Sequence, residues 1–257
     1  MAVPLRQAAA TDGRYWMYGA HAVTAALRNS RRRVIRLLAT AEAERQAEEA
    51  IAAGKTRLGE RMLVERASSE DFARYLGEEA VHQGLAAEVL PLTQPDLDTT
   101  LSKAGPEATF LLLDQVTDPH NVGAILRSAT AFGASGIVTT RHHSPIESGS
   151  LAKAASGGLE GTPLIRVANL GQAIDALKKS GFWCLGLAAD GSELLAKANL
   201  SGRIAFVLGA EGAGLRRLTR EHCDLLVRLP TETGLVQLNV SNAAAIALYE
   251  RARATKA

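Results

Sequence analysis

Beyond Pro106 the chain alternates short apolar runs with longer segments in which apolar residues recur every three or four positions. The runs at 110–113, 136–139, 164–167, 182–187, 204–208 and 225–229 have strand length and little polar alternation, as strands buried on both faces do. The segments 122–132, 170–179 and 240–253 read as helices. In the first, Val122, Ile125, Leu126 and Ala129 share one face at i, i+3, i+4 and i+7. Strands separated by helices predict an α/β fold with a parallel sheet, where ligands gather beyond the carboxyl ends of the strands.

The first ninety residues keep a shorter rhythm. Helices are expected at 21–28, at 41–53 with Gly54 as the stop, and at 69–75 with Ser68 or Ser69 as the cap; strands are expected at 33–38, 61–64 and 84–90. Pro91, Pro95 and Pro106 then punctuate a polar stretch and mark a boundary. The expected organisation is a small α/β domain over 1–92, a linker over 93–106 and a larger α/β domain over 107–257.

Three loops of the larger domain carry candidate chemistry. Loop 118–123 enters a helix bearing Arg127, which lies among Ala124, Ser128 and Ala131 on a face with little else; Asn121 reads as the helix cap and Pro119 disfavours helix before it. Loop 209–214 follows an apolar strand and reads Gly-Ala-Glu-Gly-Ala-Gly, so its backbone can approach a ligand closely. Its glycine order is the reverse of the dinucleotide-binding fingerprint, and no phosphate-binding G-x-x-x-x-G-K-[ST] occurs. Segment 229–241 brings Pro230, Gly234, Gln237, Asn239 and Ser241 to the start of the last helix, where Asn239 or Ser241 can cap it.

Composition and charge sharpen this picture. Hydrophobic residues make up 47% of the 257 and charged residues 22%, which excludes a disordered chain. The longest apolar stretch, 243–249, is too short to span a bilayer, and no signal peptide is evident, so a cytoplasmic protein without a membrane partner is expected. Cys184 and Cys223 form neither a disulfide framework nor a metal-ligand pattern; Cys184 sits in an apolar strand as a small buried residue. The net charge of +2 hides an uneven distribution: residues 1–41 carry +6, 42–98 carry −7 and 99–257 carry +3. Arg28, Arg31, Arg32, Arg33 and Arg36 are dense enough to meet phosphates, with Arg141-His142-His143 and Arg216-Arg217 with Arg220 as smaller patches.

The motifs Asn121-Val122-Gly123-Ala124-Ile125-Leu126-Arg127, Leu208-Gly209-Ala210-Glu211-Gly212-Ala213-Gly214 and Leu238-Asn239-Val240-Ser241 resemble, in order, those of SpoU-type RNA ribose methyltransferases of the SPOUT superfamily. The resemblance extends over nearly the whole chain, with residues 17–90 similar to the family's substrate-binding domain of ribosomal-protein L30e type. Residues 209–224 are most similar to the branch acting on a guanosine of large-subunit rRNA. The resemblance implies methyl transfer from S-adenosylmethionine to a ribose 2′-hydroxyl without a metal, a trefoil-knotted catalytic domain and a homodimer. It also implies that Arg127, Asn121, Glu211 and Asn239 are catalytic, and that Gly209, Leu229, Leu238 and Gly214 hold the cofactor. Arg28, Arg31, Arg32, Arg33 and Gln237 are then expected on the RNA. A guanidinium stays protonated at neutral pH, so orientation and charge stabilisation are the roles expected of Arg127. Gln237 stands where the family usually has serine; activity is still expected, because the other polar residues are present. A tRNA substrate, or an RNA-binding protein silenced at Gln237, are the alternatives.

Overall fold

The computed structural model describes residues 13–54, 64–232 and 238–256. They divide into two units, one formed by residues up to 93 together with 147–160, the other by 94–146 and 161 onward. The first boundary falls beside Pro91 and Pro95. The detour of 147–160 into the first unit was not expected from a division into consecutive segments.

The first unit opens with β1 (Tyr15–Tyr18), α1 (Ala20–Arg28), β2 (Val34–Ala39), α2 (Glu44–Ala53), β3 (Val64–Arg66), α3 (Ser69–Leu76) and β4 (Leu85–Val89). Its sheet runs β1-β4-β2-β3, with β2 and β3 parallel and β4 antiparallel to both its neighbours. Ser68 caps α3 through a capping box with Asp71, and α2 stops at Gly54 as expected. β1, Tyr-Trp-Met-Tyr, was not among the expected strands, and only its Met17 is fully buried. Most of the strand expected at 61–64 lies outside the described residues.

The second unit begins with α4 (Leu97–Ser102), inside the stretch expected to be linker, where Asp96 accepts from the Thr99 amide and caps the helix. There follow β5 (Thr109–Asp114), α5 (Pro119–Phe132) and β6 (Gly136–Thr140); α6 (Gly149–Ala155) then lies in the first unit, and α7 (Gly158–Gly161) comes next. The chain continues through β7 (Leu164–Val167), α8 (Leu170–Lys179), β8 (Trp183–Leu187), the two-residue β9 (Glu193–Leu194), β10 (Ile204–Gly209), α9 (Arg217–His222), β11 (Leu225–Arg228) and α10 (Val240–Lys256).

All pairings in this seven-stranded sheet are parallel, in the order β7-β6-β5-β10-β8-β11-β9. β5 and β10 are central: every residue of β5 is buried, and all of β10 except Gly209. Each fully buried leucine or phenylalanine there contributes about 1.5–3 kcal/mol, so the apolar runs fix which strands are inside. Leu112, Phe110, Val207 and Ile174 share one core cluster, with Phe182 edge-on to Phe110. α10 packs against α5, and its Arg251 guanidinium donates to the carbonyls of Leu200, Gly202 and Glu107. Among the described residues, no helix is long and apolar enough to cross a membrane.

Candidate active site

The register of the two central strands places Gly209 opposite Asp114, so the glycine loop and the loop entering α5 leave the sheet side by side. A Cβ on Gly209 would overlap the backbone of Gly214 and Leu215, because the loop folds back on itself through the Gly214 amide and the Ala210 carbonyl, 2.8 Å apart. Gly214 completes the turn at φ 66°, a conformation that favours glycine. The glycines are therefore required by the shape of the turn.

Asp114 pins the far end of that loop. Its fully buried carboxylate accepts from the Arg216 backbone amide at 3.0 Å and from Arg216 Nε at 2.7 Å. Sequence reading missed this pair. Its only signal was an acid ending an apolar run, and Arg216 was counted as charge available to RNA.

Beyond the carboxyl ends of β8, β10 and β11 lies a cleft of about 810 Å³, a volume in the range of small-molecule sites. Gly209, Glu211, Gly214, Leu229 and Leu238 all line it, with Leu187 and Leu208 adding apolar wall. At its rim Arg220 grips Asp190 through two hydrogen bonds of 3.0 and 2.8 Å and holds that carboxyl below its ordinary range. Neither residue was singled out from sequence for this place.

Three of the four expected catalytic residues meet. Asn239 Nδ2 donates to Asn121 Oδ1 at 2.9 Å, and Asn121 Nδ2 donates to Glu211 Oε2 at 3.4 Å. Asn239 Oδ1 also accepts from the amide and hydroxyl of Ser241, which caps α10 while fixing the direction of the Asn239 side chain. Asn121 is not the cap of α5. Asp118 takes that role, accepting from the His120 amide at 2.9 Å, with Pro119 preset for the first helical position. Asn121 is thereby freed to link Glu211 and Asn239. Arg127 is exposed on α5 and makes no hydrogen bond or ion pair to a described residue.

The expected RNA-facing arginines divide. Arg28, Arg31 and Arg33 are exposed. Arg32 is fully buried: it donates to Glu160 at 2.6 Å, to Glu147 at 3.0 Å and to the Leu90 carbonyl at 2.7 Å, so its guanidinium serves the interior of the first unit and does not reach RNA. Arg36 is held by both oxygens of Glu65. Gln237 lies outside the described residues.

Comparison with known proteins accords with this geometry. The family model for the SpoU rRNA Methylase family matches residues 108–249, and that for RNA 2′-O ribose methyltransferase substrate binding matches residues 16–95. The chain is 38% identical over 244 residues to the 23S rRNA (guanosine-2′-O-)-methyltransferase RlmB of Coxiella burnetii, covering 94% of this chain and 96% of that one. It is 42% identical over 189 residues to the Escherichia coli K12 protein of the same name, covering 70% and 76%. The SpoU methyltransferase AviRb of Streptomyces viridochromogenes shares the fold, with a TM-score of 0.77, 23% identity and coverage of 94% and 90%. With one family model spanning more than half its length and a relative 38% identical across nearly all of it, the chain belongs to the SpoU rRNA methylase family.

Proposed function

We propose that this protein transfers a methyl group from S-adenosylmethionine to the ribose 2′-hydroxyl of a guanosine in large-subunit rRNA. The observation that carries the reading is the junction of two features: a cleft with apolar and polar walls closed by a glycine turn that admits no Cβ at position 209, and the Glu211-Asn121-Asn239 chain beginning at its wall. The names of the relatives support the guanosine and the rRNA.

The cofactor supplies a methyl group activated by a sulfonium. Gly209, Gly214, Leu229 and Leu238 would hold it, the two leucines through apolar surface and the glycines through backbone groups. Asn121 and Asn239, locked to each other, fix the polar wall on which the ribose is oriented. Arg127 has no described partner to give up, and its role is to clamp the substrate phosphate and hold the attacking hydroxyl. The reading includes a trefoil crossing in the carboxyl-terminal half, supported by family membership. It also includes a homodimer, for which α10 offers exposed Ile246 and Tyr249 one turn apart.

The test separates binding from transfer. Arg127→Ala should bind S-adenosylmethionine in a calorimetric titration as the parent does, yet lose methyl transfer to rRNA by at least about a hundredfold, the size of loss typical when a transition-state contact is removed. Undiminished transfer would remove Arg127 from the mechanism.

A further inference from the structure

A second pocket, of about 380 Å³, opens past the ends of β5, β6 and β7 and shares no lining residue with the cleft. Leu215 lines the cleft, and its neighbour Arg216 lines this pocket, so the two lie on either side of one chain segment. Arg217, His142, His143 and His222 stand in its wall, and none of its lining residues is acidic. The nearby acids are each paired with one of these groups: Asp114 with Arg216, Asp175 with His222 Nδ1 at 2.8 Å, and Glu221 with Arg217. That last pair is an exposed i,i+4 bridge, of a kind that contributes little, so Arg217 is free to turn toward a stronger anion. His142 and His143 are exposed on a loop anchored by the Arg141 amide on the Val167 carbonyl. An imidazole donates to a phosphate oxygen in either charge state.

Cations alone would suit any small anion. This pocket also presents Leu218, 60% exposed among charged neighbours, and the carboxamides of Gln115 and Asn169. Apolar surface beside amide groups suits a sugar and a base edge, and the volume accommodates one nucleotide but no duplex. Gln115 and His143 are both held at left-handed φ, 59° and 58°, a backbone cost that the surrounding structure sustains at this wall.

We propose that this pocket seats one nucleotide of the substrate RNA, its phosphate against Arg217, His142 and His143 and its sugar or base edge against Leu218 and Gln115. The proposal rests on the RNA methyltransferase reading and adds to it a contact outside the cofactor cleft. None of these residues belongs to the catalytic machinery described above.

The test is fluorescence anisotropy of a large-subunit rRNA fragment, titrated with the full-length protein at several salt concentrations. The double variant His142→Ala/Arg217→Ala should bind about tenfold more weakly, with the salt slope reduced by about 1, and Arg217→Lys should recover part of the loss. Its S-adenosylmethionine affinity and its transfer rate at saturating RNA should match the parent, so that KM rises and kcat does not. Unchanged affinity and slope, with cofactor binding intact, would overturn the proposal. So would calorimetric titration in which inorganic phosphate binds the parent tightly without displacing the RNA, since that assigns the pocket to a free anion. A parent protein that binds no rRNA would overturn both readings, whereas a parent that methylates rRNA beside an unaffected double variant would remove the pocket alone.

Discussion

Gly209 is a position where one missing carbon sets the shape of a site. Any Cβ there meets the backbone of Gly214 and Leu215, which no side-chain adjustment relieves. Gly209→Ala should therefore open the turn and weaken S-adenosylmethionine binding by at least about tenfold in a calorimetric titration, a cost of 1.4 kcal/mol or more, while the circular dichroism spectrum stays that of the parent. Asp114 acts on the same loop from beneath. Asp114→Asn keeps the shape but removes the charge gripping Arg216 and presents an amide N–H to the Arg216 N–H groups. The expected loss is about 1–3 kcal/mol of stability, seen as a lower midpoint in urea, together with weaker cofactor binding. A variant as stable as the parent would show that the Arg216 contact is dispensable. Arg32 teaches the opposite lesson about reading single residues: within the Arg31-Arg32-Arg33 run, the middle guanidinium points inward to Glu147 and Glu160. Those acids lie more than a hundred residues away, and nothing local distinguishes Arg32 from its neighbours.

At the scale of elements, the reading from sequence succeeded where burial is two-sided or periodicity is long. The strand at 164–167 and the helix at 170–179 match β7 and α8 residue for residue, and β5, β6, β8, β10 and β11 lie within a residue or so of their apolar runs. It failed where short polar elements are set by caps and tertiary packing. α4 falls in the stretch expected to be linker because Pro91, Pro95 and Pro106 flank it and its threonines look like loop, yet Asp96 organises its first turn. α9 and α6 have six and seven residues, too few to show a period. α5 begins three residues before its apolar face because Asp118 and Pro119 start it, and that shift moves the cap from Asn121 to Asp118 and leaves the Asn121 side chain to bond Asn239. The caps also give these elements a pH dependence. The Ser68 amide and hydroxyl hold the Asp71 carboxyl below its ordinary range, and the Thr99 amide and hydroxyl do the same for Asp96. A carboxyl whose folded pKa is depressed stabilises fully above its unfolded pKa of about 3.9 and loses that contribution as pH falls through the folded value. Thermal melts should thus drop below about pH 4, and Asp71→Asn/Asp96→Asn should flatten that drop. An acid limb identical to the parent's would show that the caps do not carry it.

For the molecule as a whole, summed charge proved a poor guide to what faces RNA. The average of +2 understated the basic patches, and counting by segment overstated them. Arg32, Arg203, Arg216 and Arg251 all turn their guanidiniums to buried carboxylates or backbone carbonyls within their own units. Of the arginines singled out from the sequence as candidates to meet RNA or substrate, Arg28, Arg31, Arg33, Arg127, Arg141 and Arg217 are exposed, while Arg216, also exposed, is held by Asp114. The three motifs that identified the family were legible because they are contiguous stretches. The contacts that shape the site, Asp114 to Arg216 and Asn121 to Asn239, span more than a hundred residues and become visible only once the parallel sheet brings its strand ends together.

The central claim is that this assembly methylates a ribose oxygen. The direct measurement is transfer from labelled S-adenosylmethionine to large-subunit rRNA prepared without its ribose methylations, followed by alkaline hydrolysis and mass spectrometry of the resistant dinucleotides. Alkali cleaves RNA through the 2′-hydroxyl, so a methylated ribose leaves an uncut linkage. The account predicts label in a single resistant dinucleotide whose 5′ residue is guanosine. Label on a base, or no label from a protein that binds the cofactor, would contradict it.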